Sequence, residues 1–375
     1  MTTLDTTIGR LLTHMLTIEA SDLYLTAGSP PVYRKDGVGL AGRAPFSAEQ
    51  VDAIASSVMT DEQKDEFARK LEMNLALATP EGRFRVNIFR QRGSTGLVVR
   101  LVRSQIKTLD DLGHPEILKK VILSKRGLVL VVGGTGSGKS TTLAAMIDHR
   151  NRAETGHIVT VEDPIEFMHP HKQCVVTQRE VGVDTLSYAD ALKNTLRQAP
   201  DVIMIGEVRT REGMDHAIAF AETGHLVLCT LHANNANQAM DRIINFFPED
   251  RRSQLLMDLS LNLKGVVAQQ LVPTPDGKAR RVAMEIMLGT PLVQDYIRDG
   301  EIHKIKEIMK ESGNLGMRTF DQSLFELYQS GEISYEDALR HADSANEVRL
   351  RIKLAQGGDA HSLSQGLDGV ELLEQ

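Results

Sequence analysis

The chain has only two cysteines, Cys174 and Cys229, far apart in its 375 residues. With two isolated thiols no disulfide framework is expected, and the chain reads as cytosolic. Basic residues are not in excess: 43 Lys and Arg face 50 Asp and Glu, for a net charge of −7. That balance argues against bulk nucleic-acid binding. Long apolar runs are missing too. The purest is LVLVV at 128–132, against the roughly 20 residues a membrane-spanning helix needs. We therefore expect no direct membrane insertion, with any membrane contact made through a partner. The opening MTTLDTTIGRLLTHMLTIEASD has no basic stretch leading into an apolar run and does not read as a signal peptide. Hydrophobic residues at 41% and charged residues at 25% are ordinary for a soluble globular protein, and the length suits two domains.

The patterning changes near residue 105. Before it, DLYLTAG and PVYRKDGVG read as short strands around Gly28-Ser29-Pro30-Pro31. Ser47 with Gln50, and Thr60 with Gln63, are spaced as capping boxes opening two helices. GRFRVNIFRQRG alternates, with Phe84, Val86 and Ile88 on one face and Arg83, Arg85 and Asn87 on the other. It predicts a half-buried strand paired with GLVVRLV. Residues 1–105 thus read as a small α+β domain, and the polar SQIKTLDDLG supplies a linker at 106–112. Over 113–356, GLVLVVG, HIVTVED, DVIMIGE and HLVLCTL are apolar without alternation, as strands buried on both faces are. Helical stretches separate most of them, which predicts an α/β domain on a mostly parallel sheet. Its later part turns helical, with a hairpin expected near 268–287 around Pro-Asp-Gly. Residues 357–375 carry four acids and no Lys or Arg and read as a disordered tail.

GGTGSGKST, 133–141, comes directly after a strand and opens a helix. It fits G-x-x-x-x-G-K-S/T, the pattern of a nucleoside-triphosphate loop. Gly133, Gly136 and Gly138, with Thr135 and Ser137, let the backbone wrap its N–H groups around phosphate oxygens, and the helix N-terminus adds positive potential. Lys139 would reach the β- and γ-phosphates of ATP. The Ser140 hydroxyl would ligate Mg²⁺, with Thr141 beside it.

Such a loop needs an acid near the metal and a group that orients water. DVIMIGE ends in Glu207 at the expected carboxyl edge of the sheet, where ligands bind in these folds. VTVEDPIEF offers Glu162, Asp163 and, after Pro164, Glu166, a candidate general base. GHLVLCTLHANNAN, 224–237, resembles a metal site because His225, Cys229 and His232 fall within eight residues. The histidines sit at the two ends of a predicted strand, about 20 Å apart at roughly 3.3 Å per residue. Zinc bonds near 2 Å exclude a shared ion. Cys229 is expected in the strand core.

Taken in order, GGTGSGKST, VEDPIEF, IMIGEVR and GHLVLCTLHANNA resemble the Walker A, Asp box, Glu-type Walker B and His box of the secretion ATPase superfamily. That superfamily drives type II secretion and type IV pili. ASDLYLTAG, RFRVNIFRQRG, TQREVG, AETGHLVL and GMRTFDQSL resemble its pilus retraction branch, the PilT/PilU family, over about residues 1–345. The resemblance implies a PAS-like domain before a RecA-like ATPase core, and a homohexamer at the cytoplasmic side of the inner-membrane pilus platform protein. By the family pattern Glu166 activates water, Glu207 serves the magnesium site, and His225 and His232 couple nucleotide state to subunit contacts. Arg85 and Arg100 are the expected arginines completing the site across a boundary, with Arg83, Arg90 and Arg92 as rivals. No tetracysteine zinc motif is present, which separates the chain from pilus assembly ATPases. GTPLVQDYIRDGE, 289–301, departs from the AIRNLIRE-type segment of the principal PilT-like motor. RQAPD, 197–201, departs from its acidic form, and the acidic tail is additional. These departures point to an accessory retraction ATPase with a PilT-like partner. A nucleotide-binding structural adaptor of that motor is the alternative, and a RecA-like DNA translocase a third reading that the acidic pI disfavours.

Overall fold

The computed structural model describes residues 6–35, 37–79, 82–102 and 105–356; the tail reading at 357–375 lies outside them. The chain divides into two compact units. One comprises residues 1–106, 161–170 and 178–194, the other the remainder.

In the first unit, helix α1 (Thr7–Thr17) is capped by the Thr6 hydroxyl, which accepts from the Gly9 N–H. Strands β1 (Asp22–Thr26), β2 (Val32–Lys35) and β3 (Val38–Ala41) come after it. PVYRKDGVG is therefore two antiparallel strands rather than one. Helices α2 (Ala48–Val58) and α3 (Asp61–Lys70) open on the Ser47–Gln50 and Thr60–Gln63 capping boxes, each with both reciprocal bonds made. β4 (Glu72–Thr79), β5 (Gly82–Gln91) and β6 (Ser94–Val102) complete an antiparallel sheet in the order β3-β2-β1-β6-β5-β4. Phe84, Val86 and Ile88 are fully buried on β5 and join Leu23, Leu25, Leu97 and Val99 in one core with α1 and α2.

The chain continues with α4 (Ile117–Ile122), β7 (Gly127–Val132), α5 (Lys139–Ala153), β8 (Gly156–Glu162), β9 (Cys174–Glu180) and α6 (Tyr188–Thr195). A single 3-10 turn at Leu196–Gln198 ends the helical stretch before Pro200, whose predecessor Ala199 is left-handed. β10 (Val202–Ile205), α7 (Arg211–Glu222), β11 (Leu226–Leu231), α8 (Ala236–Phe246) and α9 (Glu249–Asn262) come next. The predicted hairpin is β12 (Leu263–Pro273) with β13 (Arg280–Leu288), antiparallel as expected. Helices α10 (Pro291–Arg298), α11 (Ile305–Glu311), α12 (Phe320–Gln329), α13 (Tyr335–Arg340) and α14 (Ala345–Ala355) close the described chain.

The seven-stranded sheet runs β13-β12-β7-β11-β10-β8-β9. β7, β11 and β10 are buried at every residue, which is why their sequences show no alternation. They are parallel: Leu231 pairs with Val132, and Cys229 with Ile205. One edge of the sheet therefore collects the loop from Gly133, the turn at Gly206-Glu207, and His232, each at the carboxyl end of its strand. Cys229 is fully buried mid-strand. Among the described residues no helix is long and apolar enough to cross a membrane.

Candidate nucleotide site

The loop after β7 owes its shape to glycine at two points. Gly138 is left-handed (φ 93°) and is the residue immediately before α5. A Cβ on Gly133 would strike the Gln269 carbonyl oxygen at 2.5 Å, as well as the Ser137 hydroxyl. With glycine at these places the chain turns from strand into helix without a side-chain cap on α5, and a helix start reached in this way suits an anion. Lys139 Nζ donates to the carbonyls of Gly133 (3.0 Å) and Gly134 (2.9 Å), which holds the ammonium over the loop.

Two strands away, β10 ends in Ile205 and leads into Glu207. Thr230 donates its hydroxyl to the Gly206 carbonyl, and the Val208 N–H donates to the Thr230 carbonyl at 2.9 Å. These bonds extend the β10–β11 pairing past Ile205 and fix the Glu207 backbone. His232 Nε2 lies 3.0 Å from one Glu207 oxygen, and Arg209 Nη2 lies 2.6 Å from the other. Burial pushes the Glu207 carboxyl up, but the Arg209 bond and the charges of His232, Arg209 and Lys139 outweigh it and hold the group below the usual range. Glu207 is thus kept ionised within the field of Lys139.

A cavity of about 540 Å³ opens beside the start of α5. Gly138, Thr141 and Thr142 line it from the loop side, and His114, Gln269 and Leu271 from the other. Thr142 Oγ1 is 2.9 Å from His114 Nε2. Burial pushes the His114 imidazole down to about 4, so it faces the cavity uncharged at neutral pH.

His225 stands elsewhere. It precedes β11 rather than starting it, and its carbonyl accepts from the Gly127 N–H at the amino end of β7. Its Nδ1 lies 3.0 Å from the Phe220 carbonyl, at the end of α7. The structure therefore brings His232 against Glu207, within the field of Lys139, and leaves His225 at the opposite edge of the same sheet.

Glu166 is exposed and belongs to the first unit, as do Glu162 and Asp163. Glu162 is buried and accepts from Gln178 Nε2 at 3.2 Å. Of the candidate arginines there, Arg85 is 3.9 Å from Asp163 and 3.7 Å from the fully buried Glu180. Arg100 Nε bonds Asp22 at 2.7 Å, within the electrostatic reach of Glu166. Arg83 lies 3.9 Å from Asp184. Arg90 pairs with Asp52 at 3.4 Å, and Arg92 is an exposed turn residue.

Three contributors escaped the sequence reading: Arg209, Thr230 and Gln269. Arg209 carried a signal only as a basic residue two places beyond Glu207. Gln269 carried another, as a polar residue inside the apolar run GVVAQQLV.

A family model described as "Type II/IV secretion system protein" matches residues 2–338. The chain belongs to that family. Within it, this secretion-family protein is 59% identical over 97% of its length to the type IV pilus ATPase PilU of Pseudomonas aeruginosa, covering 96% of that protein. It is 43% identical to the same organism's type IV pilus retraction ATPase PilT, over 86% of this chain and 94% of that one. A crystal structure of the pilus retraction motor PilT with bound ADP superposes with a TM-score of 0.84 at 37% identity, covering 90% and 97% of the two chains. The secretion-family chain is a PilU-like type IV pilus ATPase related to the PilT motor.

Proposed function

We propose that this secretion-family ATPase is the accessory subunit of a type IV pilus retraction motor, hydrolysing ATP beside a PilT-type partner. The observation that carries the reading is the contact of His232 with Glu207 across the carboxyl ends of parallel strands β11 and β10, within the field of the loop's Lys139. Lys139 leaves the loop carbonyls to bind the β- and γ-phosphates, while the loop N–H groups and Thr141 hold the phosphate chain. The cavity beside Thr141 takes the nucleoside. Ser140 and Glu207 supply hard oxygen donors, a hydroxyl and an ionised carboxylate, which suit Mg²⁺. When bound, that ion neutralises charge on the transferred phosphoryl group.

In this reading Glu166 orients the attacking water, His232 reports the state of Glu207, and His225 acts at a subunit contact. Arg85 and Arg100 remain the arginines that complete the site. The domain division is proposed along the chain as a PAS-like domain to residue 105, a linker at 106–112 and a RecA-like core from 113 to 356, whose segments 161–170 and 178–194 cluster with the first unit. The assembly is a homohexamer at the cytoplasmic face of the inner-membrane pilus platform protein, with no nucleic-acid partner. Identity to PilU over nearly the whole chain and the divergent 289–301 segment support the accessory role. A complementation assay tests it. Pilus retraction under load should need this chain and its PilT-type partner together, and full retraction by Glu207→Ala would favour the structural adaptor instead.

A further inference from the structure

β12 is longer than β7, its parallel neighbour. Ala268 pairs with Val132, the last residue of β7, so Gln269 is the first residue of β12 to stand beside the phosphate loop. It is 1% exposed. Its side-chain Nε2 donates to the Ser137 carbonyl at 2.8 Å. Its own carbonyl fills the place a Cβ on Gly133 would take, and its Nε2 stands 3.0 Å from that place on Gly138. One residue thus touches the first and last glycines of G-x-x-x-x-G and the carbonyl between them.

We infer that Gln269 is a positioning residue for the nucleotide, clamping the loop in its phosphate-accepting shape. The bond to the Ser137 carbonyl turns that peptide's oxygen toward β12. The peptide's opposite end, the Gly138 N–H, then points away from Gln269 and into the loop. Lys139 exchanges carbonyls for phosphate on binding, whereas the Gln269 bond does not compete with the ligand and holds in both conditions. A loop ordered beforehand loses less conformational freedom when it closes on phosphate. The neighbouring Gln270 faces the other way, donating Nε2 to the His341 carbonyl at 2.9 Å, and so serves as a control on the same strand.

The inference rests on the ATP-site reading, and one experiment separates the two. ATP affinity by calorimetry, KM and kcat are measured on the full chain for wild type, Gln269→Met, Gln269→Glu and Gln270→Met. Gln269→Met keeps the volume and removes the donor. It should raise Kd and KM for ATP about five- to thirtyfold with kcat within about threefold of wild type, the signature of lost uniform binding. Gln269→Glu sets an anion against the Ser137 carbonyl and should be at least as weak. Gln270→Met should keep the wild-type KM. Should Gln269→Met fail to fold, Gln269→Asn, which keeps the amide but withdraws it by one methylene, should show the same rise. A Gln269 variant with wild-type KM, or Gln270→Met with an equal rise, overturns the clamp alone. Wild type that binds no ATP overturns the site reading with it.

Discussion

His232 Nε2 stands 3.0 Å from Glu207 Oε1, across the carboxyl ends of the adjacent parallel strands β11 and β10. Thr230, two residues before His232, holds the Gly206 carbonyl from the same strand. The end of β11 therefore sets both the backbone and one oxygen of Glu207. Replacing Glu207 by Gln keeps its shape and removes the charge. Because that charge serves the magnesium site, we expect kcat to fall by about a hundredfold or more with ATP affinity reduced far less. His232→Ala should lower kcat by about tenfold and leave ATP binding within about threefold. Steady-state kinetics paired with calorimetry check both.

His225 gives the contrasting outcome. It packs against the Phe220 carbonyl and Thr223 at the edge of the sheet away from Lys139. His225→Ala should leave the ATP affinity of the isolated chain within about twofold. Any loss of activity should accompany a change in assembly, which light scattering at several protein concentrations would detect. A large loss of affinity with unchanged assembly would contradict this placement.

Much of this was legible from residue order. GGTGSGKST fixed its own position because a phosphate loop needs glycine at set places, and capping boxes marked α2 and α3 because their partners lie three residues apart. Spacing also separated His225 from His232. What stayed hidden depends on contacts distant in sequence. Gln269 meets Ser137 only because β12 runs alongside β7, and Arg85 faces Glu180 from a strand of a different sheet, which no local pattern records. The two-strand split of PVYRKDGVG was missed because a turn at Gly37 interrupts a segment that reads as continuously extended.

Arg85 and Glu180 should be coupled. Glu180 is 2% exposed and accepts from the Ile165 N–H at 3.3 Å as well as facing Arg85. Removing Arg85 strips a buried carboxylate of its cation, although partial exposure of the arginine screens the pair. A double-mutant cycle with Arg85→Ala and Glu180→Gln should give about 1 kcal/mol of coupling in chemical denaturation. Arg100→Ala, at a side chain 63% exposed, should shift stability less than Arg85→Ala.

Glu285 on β13 gives a pH signature. It is 2% exposed and accepts from the Ala236 N–H at 2.7 Å. Burial pushes its carboxyl up to about 7 from 4.5; the Ala236 bond opposes this, Asp343 adds to it, and Lys306 and the Phe320 N–H oppose it. A raised folded pKa means the native chain holds a proton that the unfolded chain has released. Stability from this group is therefore present at low pH and falls as pH rises from about 4.5 to 7. The loss is on the order of 3 kcal/mol. Denaturation series at pH 5.5 and 8 should show wild type losing stability with rising pH and Glu285→Gln losing much less of it.

The most direct measurement is phosphate release from ATP by the purified chain, alone and with a PilT-type partner, with and without Mg²⁺. Wild type should hydrolyse ATP only with Mg²⁺, and Lys139→Ala should abolish its contribution. No Mg²⁺-dependent activity from wild type under either condition, or undiminished activity from Lys139→Ala, would contradict the account.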